Sequence, residues 1–173
     1  AKSYLFSLGV IQIDSLAGPS EVLIIADRCA DAKWLAWDLL SQAEHEENAE
    51  AVLLTDSEEL AHAVREHIVE DIESGRGRSE IKRKSITSHA RIILTKNIDE
   101  AVEFSNRYAP EHMQMMVTDP MPYLPRIRNV GSLFLGYHAP VAAGDYFSGT
   151  NHVLPTGGAA RFSSGLSVET FRR

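Results

Sequence analysis

The alternation of short apolar runs with longer segments rich in helix formers constrains the fold more than any other feature of the chain. "EVLIIA", residues 21–26, is almost continuously apolar and lies between "AGPS" and Asp27, the pattern of a strand buried on both faces. "AKWLAWDLLSQAEH", residues 32–45, follows it with helix formers enough for almost four turns. The same succession recurs. "AVLLT", residues 51–55, reads as a strand, and Asp56 with Glu59 three positions on makes a capping-box-like start for the helix carrying "EELAHAVREHIVEDI". "ARIILT", residues 90–95, is a third strand; Asn97 then caps "IDEAVEFSNRY", with Glu100 placed to complete the cap and Pro110 closing the helix. "MQMMV" and "SLFLG" are further strands around a short helical segment opened by Asp119 and Pro120.

This pattern predicts an α/β layered domain with a mainly parallel, Rossmann-like sheet, and 173 residues suffice for one such domain spanning residues 1–173. Ligands of such sheets sit beyond the carboxyl ends of the strands, so the segment after "SLFLG" is expected to carry chemistry.

A formal net charge of −7 leaves no basic stripe to replace counterions on phosphates and argues against a nucleic-acid surface. Only "RGRSEIKRK", residues 76–84, is locally basic, and it reads as a solvated linker face. The one cysteine, Cys29, excludes an internal disulfide and fits a reducing, cytoplasmic setting; beside a strand it reads as a packed small residue. No apolar run reaches the roughly 18 residues of a membrane span, and the N-terminus lacks a signal-peptide pattern. The chain begins with Ala1, as a processed product or a piece of a longer protein would.

Three clusters could carry chemistry. In "SQAEH", Gln42 and His45 are three residues apart and share a face if the helix reaches them, although a histidine at a helix C-terminus also serves simply as a cap. In "PEHMQ", Glu111 beside His112 can support proton transfer. The third is "GDYFSGTNHVLPTGG", residues 144–158, which has no helical or strand period and places Asp145 and His152 seven residues apart. Carboxylate, imidazole and amide oxygen are all acceptable zinc ligands, so Gln42, His45 and Asp145 together would make a three-ligand site. His62 and His67 lie on a heavily charged helix and read as solvated, while His89 and His138 border strands. Neither "GPSEV" nor "TGGAA" has the spacing of a phosphate-cradling loop, and a complete dinucleotide fingerprint is absent.

Taken together, "DSLAGPSEVLIIAD", "DLLSQAEH", "NRYAPEH" and "GDYFSGTNHVLPT" closely resemble the signature segments of the histidinol dehydrogenases, in that family's order and over nearly the whole chain. The resemblance implies NAD-dependent oxidation of L-histidinol to L-histidine in two steps through an enzyme-held aldehyde, with one zinc ion per site. It implies that Gln42, His45 and Asp145 are zinc ligands and that His112 is the main general base, with Glu111 activating water at the aldehyde stage. Ser20, Gln42, His45, His112, Asp145 and His152 would hold the substrate. The family's enzymes are longer, with most of the NAD-binding portion before the region seen here and a tail that brings a further histidine to the zinc across a homodimer. This chain is therefore expected to be the zinc and substrate domain, inactive alone. A related dehydrogenase of another small polar alcohol, or a non-catalytic binding domain on the same scaffold, are the alternatives.

Overall fold

The computed structural model describes residues 2–11, 13 and 18–172, so Asp14–Ala17 of the first signature segment lie outside the described residues. Along the chain run α1 (Lys2–Ser7), β1 (Glu21–Ala26), α2 (Ala32–Ala43), β2 (Glu50–Thr55), α3 (Glu58–Glu73) and α4 (Ser79–His89). They are followed by β3 (Arg91–Leu94), α5 (Ile98–Tyr108), β4 (His112–Met116), β5 (Ser132–Leu135) and α6 (Val141–Tyr146), with short 3-10 turns at Met121–Arg126, Ala159–Arg161 and Val168–Phe171. The strands form one five-stranded sheet in the order β3-β2-β1-β4-β5, with every pairing parallel. The expected layered α/β fold is therefore present. Among the described residues no helix is long and apolar enough to cross a membrane.

Because side chains alternate across a strand, β1 feeds two cores. Val22, Ile24 and Ala26 pack with α2 and α3 through Leu35, Leu39, Leu60 and Val64. Leu23 and Ile25 pack on the opposite face with Ile98, Ala101 and Val102 of α5. A strand covered on both sides has no place for polar residues except at its ends, which is why "EVLIIA" reads as an unbroken apolar run.

Three local expectations are corrected. The cap of α3 is Ser57, whose hydroxyl accepts the Leu60 N–H at 3.2 Å; Asp56 stands one residue too early to do this. The basic stretch is not a solvated linker, since from Ser79 onward it winds into α4 and turns Lys82 and Ser85 inward. Lys82 is only 4% exposed and bonds Asp71 of α3, while the Ser85 hydroxyl donates to the Ala49 carbonyl at 2.8 Å. Cys29 is exposed rather than packed, because the turn after β1 points it away from the core.

Candidate active site at the amino edge of the sheet

His112 opens β4 and Glu21 opens β1, with Glu111 and Ser20 immediately before them, so the titratable residues of the neighbouring central strands meet at the amino edge of the sheet. The pair thus lies at the opposite edge from the carboxyl ends, where a ligand was expected. There, at the point where strand order reverses, Asp27 is already engaged: its carboxylate accepts the Thr118 N–H at 2.7 Å, the Thr118 hydroxyl at 2.8 Å, the Tyr137 hydroxyl at 2.8 Å and the Cys29 N–H at 3.0 Å. Burial alone would raise the Asp27 pKa, but these donors outweigh it and hold the carboxyl below its ordinary range. The cluster fastens β1, β4 and β5 together and leaves Asp27 no acceptor to spare.

At the amino edge, the end of α5 determines where Glu111 lies. Ala109 adopts a left-handed conformation with φ of 58°, its N–H bonds the Ser105 carbonyl at 2.7 Å, and Pro110 prevents the helix from continuing. Gly131 then passes close to Glu111: a Cβ there would stand 2.5 Å from the Glu111 carbonyl oxygen, which is held in turn by the Ser132 N–H at 2.9 Å. Glu111 and His112 are each 6% exposed. His112 Nδ1 lies 3.0 Å from the Glu21 carbonyl and 3.4 Å from Glu111 Oε2, both acceptors, so Nδ1 carries the proton in the neutral ring. Nε2 is then the basic nitrogen, and it is buried with no hydrogen-bond partner among the described residues. Burial depresses the pKa of this imidazole; the Glu111 carboxylate, the Glu21 carbonyl and Asp145 act against burial and leave it above the ordinary 6.5.

Helix α2 lies over the face of the sheet that carries His112. It runs back from the carboxyl edge, so its last turn, with Gln42, returns to the amino edge. The helix ends at Ala43, but the bond from the His45 N–H to the Gln42 carbonyl at 3.1 Å continues the turn and keeps His45 beside it. One turn before Gln42 is Asp38, which interacts with the wholly buried Gln114 of β4; burial raises the Asp38 pKa and the Gln114 hydrogen bond partly offsets this. Gln114 also donates to the Ala139 carbonyl at 3.1 Å.

Asp145 is not in an irregular loop, as its sequence context implied, but in the last turn of α6, which packs on α2. Gly144, the residue before Asp145, packs against Phe134. The Phe134 ring lies 6.3 Å from the His112 ring, and a Cβ on Gly144 would fall 2.5 Å from the tip of Phe134. Gly144→Ala is therefore expected to destabilise this chain by about 1–3 kcal/mol and to shift the His112 ring resonances in NMR spectra. Unmoved resonances would show that Phe134 yields in another direction.

Beyond α6 the chain crosses to the amino edge, where the Gly157 N–H donates to Glu21 Oε1 at 2.8 Å and the Gly18 N–H to the Thr156 hydroxyl at 2.6 Å. Among the described residues no three His, Cys, Asp or Glu side chains gather as a metal cluster. A groove of about 450 Å³ between α3, α4 and β3 is lined by apolar residues such as Ile68, Ile72 and Ile86, well away from the Glu111–His112 pair.

The model of the histidinol dehydrogenase family matches residues 1–173. The chain belongs to the histidinol dehydrogenase family. It is 52% identical over 171 residues to the histidinol dehydrogenase of Leptospira interrogans, covering 99% of this chain and 40% of that protein. It is 55% identical over 163 residues to the Methanothermobacter thermautotrophicus enzyme, covering 94% of this chain and 38% of the relative. The crystal structure of histidinol dehydrogenase from Elizabethkingia anophelis superimposes with a TM-score of 0.91 at 38% identity, over 96% of this chain and 38% of that one. The chain thus spans about 40% of the length of the curated relatives it matches.

In this member of the histidinol dehydrogenase family, Glu111 and His112 are in contact, Asp145 acts electrostatically on His112, and Ser20 precedes the strand start that carries Glu21. Gln42 and His45 share the closing turn of α2. His152 is exposed, and among the described residues no hydrogen bond or ion pair joins it to the Glu111–His112 pair. Sequence reasoning missed Glu21, Asp38, Gln114 and Phe134. A charged residue at the mouth of a buried strand, an acid one turn before Gln42 and a glutamine inside "HMQMM" were the available signals for the first three.

Proposed function

We propose that this chain is the zinc- and substrate-binding part of an NAD-dependent histidinol dehydrogenase, a cytoplasmic enzyme that oxidises L-histidinol to L-histidine through histidinal. The observation that carries the reading is the buried His112 imidazole, whose proton is fixed on Nδ1 by the Glu21 carbonyl and Glu111 while Nε2 stays free. A neutral imidazole so arranged can take the proton of the substrate hydroxyl as hydride leaves the same carbon. Glu111, next to it, is positioned to take a proton from water adding to the aldehyde, giving the hydrate that the second oxidation requires. NAD, when bound, supplies the hydride acceptor.

The donor set suits zinc. The Gln42 amide, the His45 imidazole and the Asp145 carboxylate are acceptable ligands, and no described residue engages any of the three side chains in a hydrogen bond or ion pair. Zinc, when bound, orients the substrate and its reacting carbon. Ser20 and His152 complete the proposed substrate wall. Exposed Tyr146 and Phe147, at 88% and 90%, lie directly beside Asp145 and support a homodimeric complete enzyme in which this face is covered.

The activity is tested in a full-length enzyme carrying this segment, by following NAD reduction with L-histidinol; no turnover would sink the proposal. Metal binding is tested on this chain by calorimetry. Asp145→Ala and His45→Ala are each expected to weaken zinc binding by more than the roughly 10- to 100-fold that loss of an outer-shell partner costs, with His62→Ala silent. Equal affinity in Asp145→Ala and the parent chain would remove Asp145 from the site.

A further inference from the structure

Glu21 bonds both members of the Glu111–His112 pair and the loop at Gly157. Its N–H donates to Glu111 Oε2 at 2.9 Å, and its own Oε2 accepts the Glu111 N–H at 3.3 Å, so two adjacent strand starts hold each other by reciprocal bonds. Its carbonyl accepts His112 Nδ1–H at 3.0 Å. Its other carboxylate oxygen, Oε1, accepts the Gly157 N–H at 2.8 Å. One side chain, 7% exposed, therefore ties the Glu111 backbone to the loop that returns from Asp145, while its main chain sets the His112 tautomer.

We infer that Glu21 is a positioning residue, which fixes Glu111 and His112 relative to each other and to the loop at Gly157. The inference rests on the acid–base reading of Glu111 and His112 proposed above. Both oxygens of the Glu21 carboxylate are in use as acceptors. Strain in a replacement loop is not needed to break the arrangement, because glutamine has nearly the same shape but only one oxygen: in Glu21→Gln an NH₂ group must face either the Gly157 N–H or the Glu111 N–H, donor against donor. Gly157, with φ of 61°, has no other described bond from its N–H, so loss of this contact leaves that amide unpaired even while the neighbouring Gly18–Thr156 bond persists.

In the full-length enzyme, Glu21→Gln is expected to lower kcat about 100-fold through misplacement of the reacting groups while changing KM little. Added to Glu111→Gln, it should produce little further loss, because residues that act as a unit are not additive. In the 173-residue chain, hydrogen exchange should find the Gly157 and Glu111 amides protected in the parent and the Gly157 amide, the Glu111 amide or both unprotected in Glu21→Gln. Wild-type kcat in Glu21→Gln, or losses that multiply in full with Glu111→Gln, would overturn the inference. Should Glu21→Gln not fold, unprotected Gly157 and Glu111 amides in the parent chain would overturn it equally. Failure of the functional reading is seen separately, as a full-length parent enzyme without histidinol oxidation or a Glu111→Gln variant at the parent rate.

Discussion

His112→Ala, in a full-length enzyme containing this segment, is expected to slow the oxidation of both histidinol and histidinal by about 10²- to 10⁴-fold. Each step removes a proton before hydride leaves, and Nε2 is the buried nitrogen available for it. Glu111→Gln should divide the two steps. Only the aldehyde must be hydrated, so histidinal oxidation is expected to fall further than histidinol oxidation in single-turnover measurements. If Glu111 merely orients the strand start, both steps fall together, and the division of labour between the two residues is wrong. An unimpaired His112→Ala enzyme would remove the imidazole as the base. The reciprocal bonds with Glu21 make the isosteric change preferable at Glu111, since glutamine keeps an oxygen for the Glu21 N–H.

Lys82→Met is expected to destabilise the chain by about 3–5 kcal/mol in denaturant unfolding, the usual result of removing one member of a buried ion pair. The Lys82 side chain is 5% exposed and that of its partner Asp71 is 15% exposed, so the abandoned carboxylate is poorly hydrated. The double variant Lys82→Met with Asp71→Leu should recover much of the loss, because two apolar side chains in that space need no compensating charge. If the single variant unfolds at the parent midpoint, water reaches Asp71 freely and α4 is held by other contacts. The site residues are not touched by this pair, which makes it a measure of how α4 is fastened to α3.

The layered fold was legible because five apolar runs separated by helix formers admit few other arrangements, and the parallel order followed from their alternation. The helix α5 was readable to the residue, since Asn97 and Pro110 are strong local stops and its cap bond from the Glu100 N–H to Asn97 forms at 2.9 Å. Even there the partner changed: the Glu100 carboxylate reaches the Lys96 N–H at 2.7 Å rather than that of Asn97. The α4 helix was hidden by its charge. Four basic residues within "RSEIKRK" look solvated until α3 supplies Asp71, a partner eleven residues earlier. The candidate residues were named through the family segments, but the edge of the sheet at which Glu111 and His112 meet was not. General experience with parallel sheets points to the carboxyl edge, and the closed cluster around Asp27 depends on side chains from three separate strand ends that no local pattern connects. Glu21 was invisible for the same reason, since its partners stand 90 and 136 residues away.

Helix α2 has two obligations at once. Leu35, Ala36, Leu39, Leu40 and Ala43 fill the core, while Asp38 bonds Gln114 on the strand of His112. Its outer surface is partly committed as well: Trp34 meets the His138 ring at 5.1 Å, and Lys33 lies 5.0 Å over Trp37. Little of the helix can drift in sequence without being felt either as lost packing or as a lost bond to Gln114. Mutational tolerance along α2 should consequently be narrow, with the core, the sheet and the helix's own aromatic surface all drawing on the same few turns of chain.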